Sequence, residues 1–344
     1  MEYAKPAPVF DCTDPNSILT LNRDMEPYVI QASAARNDHF KDPVVPLQFV
    51  HCSDIHRVLP LWNRMVEYVN HYRDYISFVL HTGDYCHNYQ GAYTDLYREG
   101  IPCCRPILNC VGNHDTYAHN TLTKEPFRLA PPETTHALLF NHTEDWGVTF
   151  MDVPCPMSYY RDFPTSGIRL IVLDLYYRIE EQQIWLRGLL DDARAQGLSV
   201  ITASHVATDG ITHPLDVTFQ TLTDYASLGG RDRPSPFEPA ITAFIEAGGK
   251  HICHLAGHRH CDYFGYTDYG VLNVLVECGT DWNGWTDSLR AKNARNYDCF
   301  NVFCADTVLG LIKLVRIGDC SDHYLRPKHV LCYDYVNRKV ISNA

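Results

Sequence analysis

Five short apolar runs in this chain each break off at a residue carrying a nitrogen or oxygen lone pair. Leu47–Cys52 runs into Ser53-Asp54-Ile55-His56, and Ile76–Leu80 into His81-Thr82-Gly83-Asp84. Ile107–Val111 stops at Gly112-Asn113-His114-Asp115, Leu198–Ala203 at Ser204-His205, and Ile252–Ala256 at Gly257-His258-Arg259-His260. Runs of this length with such boundaries read as buried strands. Strands that end this way gather their terminal side chains at one sheet edge, where ligands bind in α/β folds.

The segments between the runs supply helices. Leu61, Trp62, Met65, Val66, Val69 and Tyr72 recur at helical spacing behind Pro60. Glu181–Ala195 reads as an amphipathic helix with Ile184, Trp185, Leu189, Leu190 and Ala193 on one face and Gly197 as its stop. Ser235-Pro236-Phe237-Glu238 has the pattern of a capping box, opening a helix that runs to about Ala247 before Gly248 and Gly249. Arg169–Asp174 is one more strand. After residue 260 the texture changes to strand-like runs joined by short turns: Val271–Glu277, Cys299–Cys304, Val308–Val315, Val330–Tyr333 and Arg338–Ile341. The chain thus reads as an α/β domain over 47–344 with a β-rich completion at 281–344. Residues 1–46, rich in Pro, Asp and Asn, read as an irregular segment packed on that domain. The region 116–165 reads as loop-rich, with prolines at 126, 131, 132, 154, 156 and 164, and as a place for a substrate-facing insertion.

Composition excludes several classes. Of 344 residues 45% are apolar and 20% charged, a globular balance. The formal net charge of −12 makes nucleic acid and anionic membrane poor general partners. No stretch approaches the ~20 apolar residues that span a bilayer. Met1–Phe10 carries two prolines, one Lys and one Glu, without the basic start and apolar core of a secretory signal. The 14 cysteines include no Cys-x-x-Cys pair, and Cys110, Cys253, Cys278 and Cys304 lie inside apolar runs, where a thiol behaves as a small hydrophobe. Free thiols in a reducing cytoplasm are the expectation.

The strand-end residues form a chemical set. Asp54, His56, Asp84, Asn113, His205, His258 and His260 offer oxygen and imidazole but no sulfur, which suits Mn, Fe or Zn ions. In an extended stretch alternate residues point the same way, so Asp-x-His and His-x-His can each aim two ligands into one cleft. His114 offers a proton near neutral pH, and Asp115 can hold that imidazole in one tautomer. Taken singly, each residue has a commoner explanation. An Asp after a strand is usually a helix N-cap, and Asn-His-Asp can be turn chemistry.

In order and placement, the motifs Asp54-Ile55-His56, Gly83-Asp84, Gly112-Asn113-His114-Asp115, His205 and Gly257-His258-Arg259-His260 resemble the calcineurin-like metallophosphoesterase superfamily. The resemblance spans roughly residues 47–280 and includes Gln183-Ile184-Trp185-Leu186 ahead of the His205 strand. It implies a four-layer α/β/β/α sandwich of two mixed sheets, with two divalent or trivalent ions at the strand ends. It further implies that Asp54, His56 and His260 hold the first ion, that Asn113, His205 and His258 hold the second, and that Asp84 bridges them. His114 would contact the scissile phosphate and its leaving oxygen, with Asp115 orienting it. Two such ions, about 3.5 Å apart, can share a hydroxide that attacks phosphorus in line. They also leave an acidic protein locally positive.

Two departures narrow the branch. The purple acid phosphatases place a tyrosine ligand three residues after the bridging Asp, where this chain has His87, and they lack the x-His after Asp54. The Ser/Thr protein phosphatases carry Gly-Asn-His-Glu where this chain has Asp115. The reading is a phosphoesterase acting on a small-molecule phosphomonoester or phosphodiester. A nuclease and a non-catalytic metal-binding scaffold are the alternatives. His51, His81, His87, His119 and Arg259 read as neighbours of the site, and Tyr85, Tyr89, Trp146, Trp282 and Trp285 as core more often than pocket. Nothing in the sequence fixes an oligomeric state.

Overall fold

The computed structural model describes residues 45–85, 96, 99–116, 129–140, 143, 146–208, 235–258, 260, 262–277, 282–283, 288–289, 299–318 and 330–343. The irregular segment expected at 1–46 lies almost entirely outside them, as do His87, Tyr89, His119, Arg259 and Cys278 and the side chains of Trp282 and Trp285.

In chain order the elements begin with β1 (Leu47–Cys52), α1 (Leu59–His71), β2 (Val79–His81), β3 (Ile107–Asn109), the single turn α2 (Asn113–Thr116) and α3 (Pro132–Leu139). Next come β4 (Thr149–Phe150), β5 (Tyr159–Phe163), β6 (Ile168–Val172), α4 (Ile179–Gln196), β7 (Ser199–Ala203) and α5 (Glu238–Glu246). The remainder is all strand: β8 (Lys250–Ala256), β9 (Tyr263–Tyr266), β10 (Leu272–Leu275), β11 (Trp282–Asn283), β12 (Ser288–Leu289), β13 (Phe300–Asp306), β14 (Leu311–Ile317), β15 (Val330–Asp334) and β16 (Lys339–Asn343). Among the described residues they form two seven-stranded mixed sheets, ordered β16-β15-β14-β13-β1-β2-β3 and β4-β5-β6-β7-β8-β10-β9.

Both sheets have a parallel centre. β1, β2 and β3 run parallel in the first, and β6, β7, β8 and β10 in the second. These strands are buried along their length except at the start of β8, so they read as near-continuous apolar runs. The sheets face one another. Phe78 stacks on Phe163 across the interface at 5.2 Å, and Phe264 meets Tyr333 edge-on at 4.8 Å. α1 lies on the first sheet, with Tyr68 against Phe300. α4 and α5 pack together and lie on the second sheet. One apolar core runs through both sheets and their helices. The α/β architecture of two mixed sheets with flanking helices is therefore present.

Three details differ from the sequence reading. The 116–165 region is less loop-like than its prolines suggest, because it contains α3 and the strand Tyr159–Phe163 paired antiparallel with β6. α4 buries Gln182, Leu186, Leu190 and Ala193, while Ile184 is 67% exposed. The inner position goes to Gln182 because its amide closes the β6–α4 turn. Its Oε1 accepts from Asp174 N at 3.1 Å, and its Nε2 donates to Asp174 O at 2.8 Å and Tyr177 O at 2.6 Å. The capping box does not form as expected. α5 begins only at Glu238, with Pro239 in its first turn, and Ser235 Oγ accepts instead from Phe237 N at 3.3 Å.

Candidate metal centre

The five strand ends meet on one side of the interface between the sheets. β1, β2 and β3 deliver Asp54 with His56, Asp84, and Asn113 with His114; β7 and β8 deliver His205, and His258 with His260. The local geometry is not the strand alternation expected for Asp-x-His and His-x-His. Asp54, His56, Asp84, His258 and His260 have φ of 53°, 42°, 59°, 67° and 51°. Left-handed backbone is disfavoured for non-glycine residues and collects at functional sites. Here it turns the chain sharply after β1, β2 and β8, so that Asp54 and His56 converge from a turn and His258 and His260 face neighbouring centres.

The turns interlock through side chain-to-backbone bonds. Asp54 Oδ2 accepts from His258 N at 2.9 Å, which ties the first sheet to the second. Asp84 Oδ1 accepts from His114 N at 2.8 Å. Asp115 Oδ2 accepts from both Asp84 N and Gly112 N, each at 2.9 Å. Asp115 thus acts on the turn that carries His114 and on the loop that carries Asp84. Two glycines permit the approach. A Cβ at Gly112 would stand 2.2 Å from both Asp84 N and Asp84 Oδ1, and one at Gly257 would stand 1.7 Å from Ser53 Oγ.

Seven of the strand-end side chains point their lone pairs at common centres. Ligand atoms of Asp54, His56, Asp84 and His260 lie within 4.8 Å of one another, and so do those of Asp84, His205 and His258. Asn113 Oδ1 joins the second group, 2.9 Å from His205 Nε2 and 3.0 Å from His258 Nδ1. Asp84 is common to both. Within each group two imidazole nitrogens confront each other: His56 Nε2 and His260 Nε2 at 3.2 Å, His205 Nε2 and His258 Nδ1 at 3.1 Å. His205 Nδ1 donates to Thr82 O at 2.7 Å, which turns its Nε2 toward the centre. Donors bound about 2.1 Å from one ion sit roughly 3.0–3.4 Å apart. Asp54 Oδ1 is fully buried, and the nitrogen that faces it is His260 Nε2 at 3.2 Å; among the described residues no well-aligned donor satisfies it. These features fit a pair of metal ions.

Electrostatics agrees with a pocket built for cations. Burial pushes Asp54 and Asp84 up, but neighbouring histidines, led by His260 and His205 respectively, bring both below the usual carboxylate range. Burial lowers His205, but Asp84 and Asp54 outweigh it and raise the ring to about 9. Burial holds His56 down at about 3. His114 stands at the rim, half-buried, its ring edge-on to His56 at 4.9 Å.

Of the neighbours, His51 and His81 are fully buried. His51 Nε2 faces Thr82 Oγ1 at 3.2 Å, and His81 stacks on Tyr85. Tyr85 and Trp146 are core residues. A polar layer behind His205 is less legible in sequence. His254 Nε2 lies 3.0 Å from Ser204 Oγ and 3.3 Å from Val206 O, while its Nδ1 lies 2.9 Å from Thr202 Oγ1. It pins the turn that presents His205. A signal is present in the sequence: Thr202 and His254 are polar residues at paired positions within the apolar stretches Val200–Ala203 and Ile252–Ala256.

The family model for calcineurin-like phosphoesterases matches residues 47–262. A dimetal phosphatase from Danio rerio superposes with a TM-score of 0.54 at 13% identity, covering 80% of this chain and 97% of that one. An anchor protein of the Plasmodium inner membrane complex gives 0.41 at 10% identity, covering 79% and 84%. A Thermus thermophilus protein gives 0.40 at 10% identity, covering 86% and 97%. No curated protein matches the sequence. At these identities the likeness concerns the fold.

Proposed function

The chain belongs to the calcineurin-like phosphoesterase family, and on that premise we propose that it is a dinuclear metal-dependent hydrolase of small-molecule phosphoric esters. One observation carries the reading: Asp84 stands in both ligand groups, so two ions would share its carboxylate. Asp54, His56, Asp84 and His260 would hold one ion, and Asp84, Asn113, His205 and His258 the other. Bound there, Mn, Fe or Zn ions would activate water as nucleophile at neutral pH and neutralise phosphoryl oxygens.

The chain's own residues do the rest. The buried strand-end turns hold the donors in place before substrate arrives, so little reorganisation is needed on binding. His114 lies beside His56 at the rim, where its imidazole can contact the phosphate and protonate the departing oxygen. Its backbone bond to Asp84 Oδ1 keeps that ring in register with the shared carboxylate. Asp115 is a positioning residue that secures Gly112 and Asp84. The net charge of −12 supports a small substrate over a nucleic acid. No described helix is long and apolar enough to cross a membrane. The free thiols among the described cysteines, mostly buried, support a reducing, cytoplasmic setting.

The test is hydrolysis of bis- and mono-p-nitrophenyl phosphate by metal-free protein reloaded with Mn²⁺, alongside His114→Ala. Metal-dependent turnover that falls by about 10²–10⁴ in the variant, with metal content unchanged, is the expected result. The preferred compound separates diesterase from monoesterase. Protein that takes up no metal would overturn the reading.

A further inference from the structure

We propose that Arg316 is a positioning residue for the metal centre, a cation of the first sheet that clamps the far end of the His258–His260 loop of the second. The proposal rests on the dinuclear reading of the site. Arg316 lies in β14 in phase with Ile312 and Leu314, and is only 2% exposed. Its Nη1 donates to Asp262 Oδ1 at 2.9 Å, and its Nη2 donates to Glu277 Oε2 at 3.1 Å. Nη1 also reaches Asn301 Oδ1 on β13 at 3.4 Å. Asp262 follows His260 by two residues and directly precedes β9, whereas Glu277 lies beyond the end of β10. Asp262 Oδ1 accepts from Glu277 N as well, at 3.1 Å.

Besides its bonds within the second sheet, the stretch from Gly257 to Asp262 is therefore held from the first sheet at both ends. Asp54 Oδ2 holds its start through His258 N, and Arg316 holds its end. Between them lie His258 and His260, which belong to different ligand groups. A shift of this loop would disturb both ion positions together.

Stability alone does not explain such a cluster. One cation buried with two carboxylates forfeits solvation, and well-packed apolar residues are often as stable in such places. A planar guanidinium does something apolar residues cannot: its fork fixes two oxygens in direction as well as distance. Asp262 and Glu277 are those oxygens' owners, and one of them ends the ligand loop.

The test is titration of Co²⁺ into metal-free protein, read by calorimetry and by the visible d–d bands. Wild type, R316M, R316K, D262N and E277Q are compared, with near-UV circular dichroism as the check on folding. Wild type should take up two ions. R316M and D262N should bind both about 10–100-fold more weakly, with altered bands. R316K should recover part of the loss, since an ammonium satisfies one carboxylate but not the fork. E277Q should lose less than D262N, because Glu277 lies outside the loop. Should R316M fail to fold, R316K and D262N carry the comparison. Folded R316M or D262N with wild-type affinity and bands would overturn the clamp. Wild-type protein that binds no Co²⁺ would overturn the metal centre itself, a separate result.

Discussion

The Asp115 carboxylate holds the backbone of Asp84 from 31 positions away in sequence, and the same oxygen holds Gly112 N. One buried carboxyl group thus joins the β2 and β3 strand ends. Removing it leaves two buried N–H groups without their acceptor, at about 1–3 kcal/mol each. Asp115→Ala should therefore lose about 2–6 kcal/mol in urea unfolding, together with most metal uptake. Asp115→Asn keeps an oxygen acceptor without the charge and should fall between it and wild type. Wild-type unfolding and metal content in Asp115→Ala would refute this assignment.

Gly112→Ala and Gly188→Ala should have opposite effects. A methyl at Gly112 enters the space of Asp84 N and Asp84 Oδ1, so the shared carboxylate must move. The variant should lose metal at both positions and turnover by two decades or more, on the order of 3 kcal/mol. Gly188 is an exposed helical glycine with nothing within 4 Å of an added methyl. Alanine there should stabilise by about 0.5–1 kcal/mol with unchanged turnover. Equal metal content in Gly112→Ala and wild type would show that the Asp84 loop has slack.

Much of the framework is readable along the chain because parallel strands buried on both faces are apolar throughout. β1 matches its run residue for residue, and β7 and β8 end where their apolar runs end. The residues that converge at the centre stand one after another at those ends. Less legible features involve partners far apart or backbone conformation. Tyr159–Phe163 mixes aromatic and charged residues between prolines, and only pairing with β6 reveals it as a strand. The left-handed φ at Asp54, His56, Asp84, His258 and His260 follows from the interlocked turns, not from the residues' own preference. Arg316 meets Asp262 and Glu277 across 54 and 39 positions. Its phase with Ile312 and Leu314 does mark it in sequence as a cation on a buried face.

Arg169 fastens α4 to the second sheet away from the metal centre. Its guanidinium pairs with Asp162 through Nε at 2.7 Å and Nη2 at 2.8 Å, and reaches Asp192 Oδ2 at 2.7 Å and Leu189 O at 2.9 Å on α4. It also lies over the Tyr160 ring at 4.7 Å. Asp192 is half exposed and can return to water, so the loss on truncation is mainly packing and the fork. Arg169→Ala should destabilise by about 2–3 kcal/mol, and Arg169→Lys should restore less than half, because an ammonium cannot pair bidentately. Turnover per folded molecule should be unchanged; a fall would mean that α4 communicates with the site.

Asp174 should make stability fall as pH rises. It is buried at the end of β6, and burial pushes its carboxyl up to about 7 even though Tyr176 N and Tyr177 N donate to its two oxygens. Those donors favour the charged form, and burial opposes them more strongly. Its folded pKa thus exceeds its unfolded value, near 4. The native state then holds a proton that the unfolded chain releases between those two values. The associated stability is complete below about pH 4 and is lost progressively as pH climbs to about 7. Other ionisable groups, metal ligands included, cancel in the difference between wild type and Asp174→Asn. That difference should move against wild type by roughly 2–3 kcal/mol between pH 5 and 8, measured by urea unfolding at each pH. A difference that stays flat over the same interval would mean that the two backbone donors dominate and that Asp174 is ionised in both the folded and the unfolded chain.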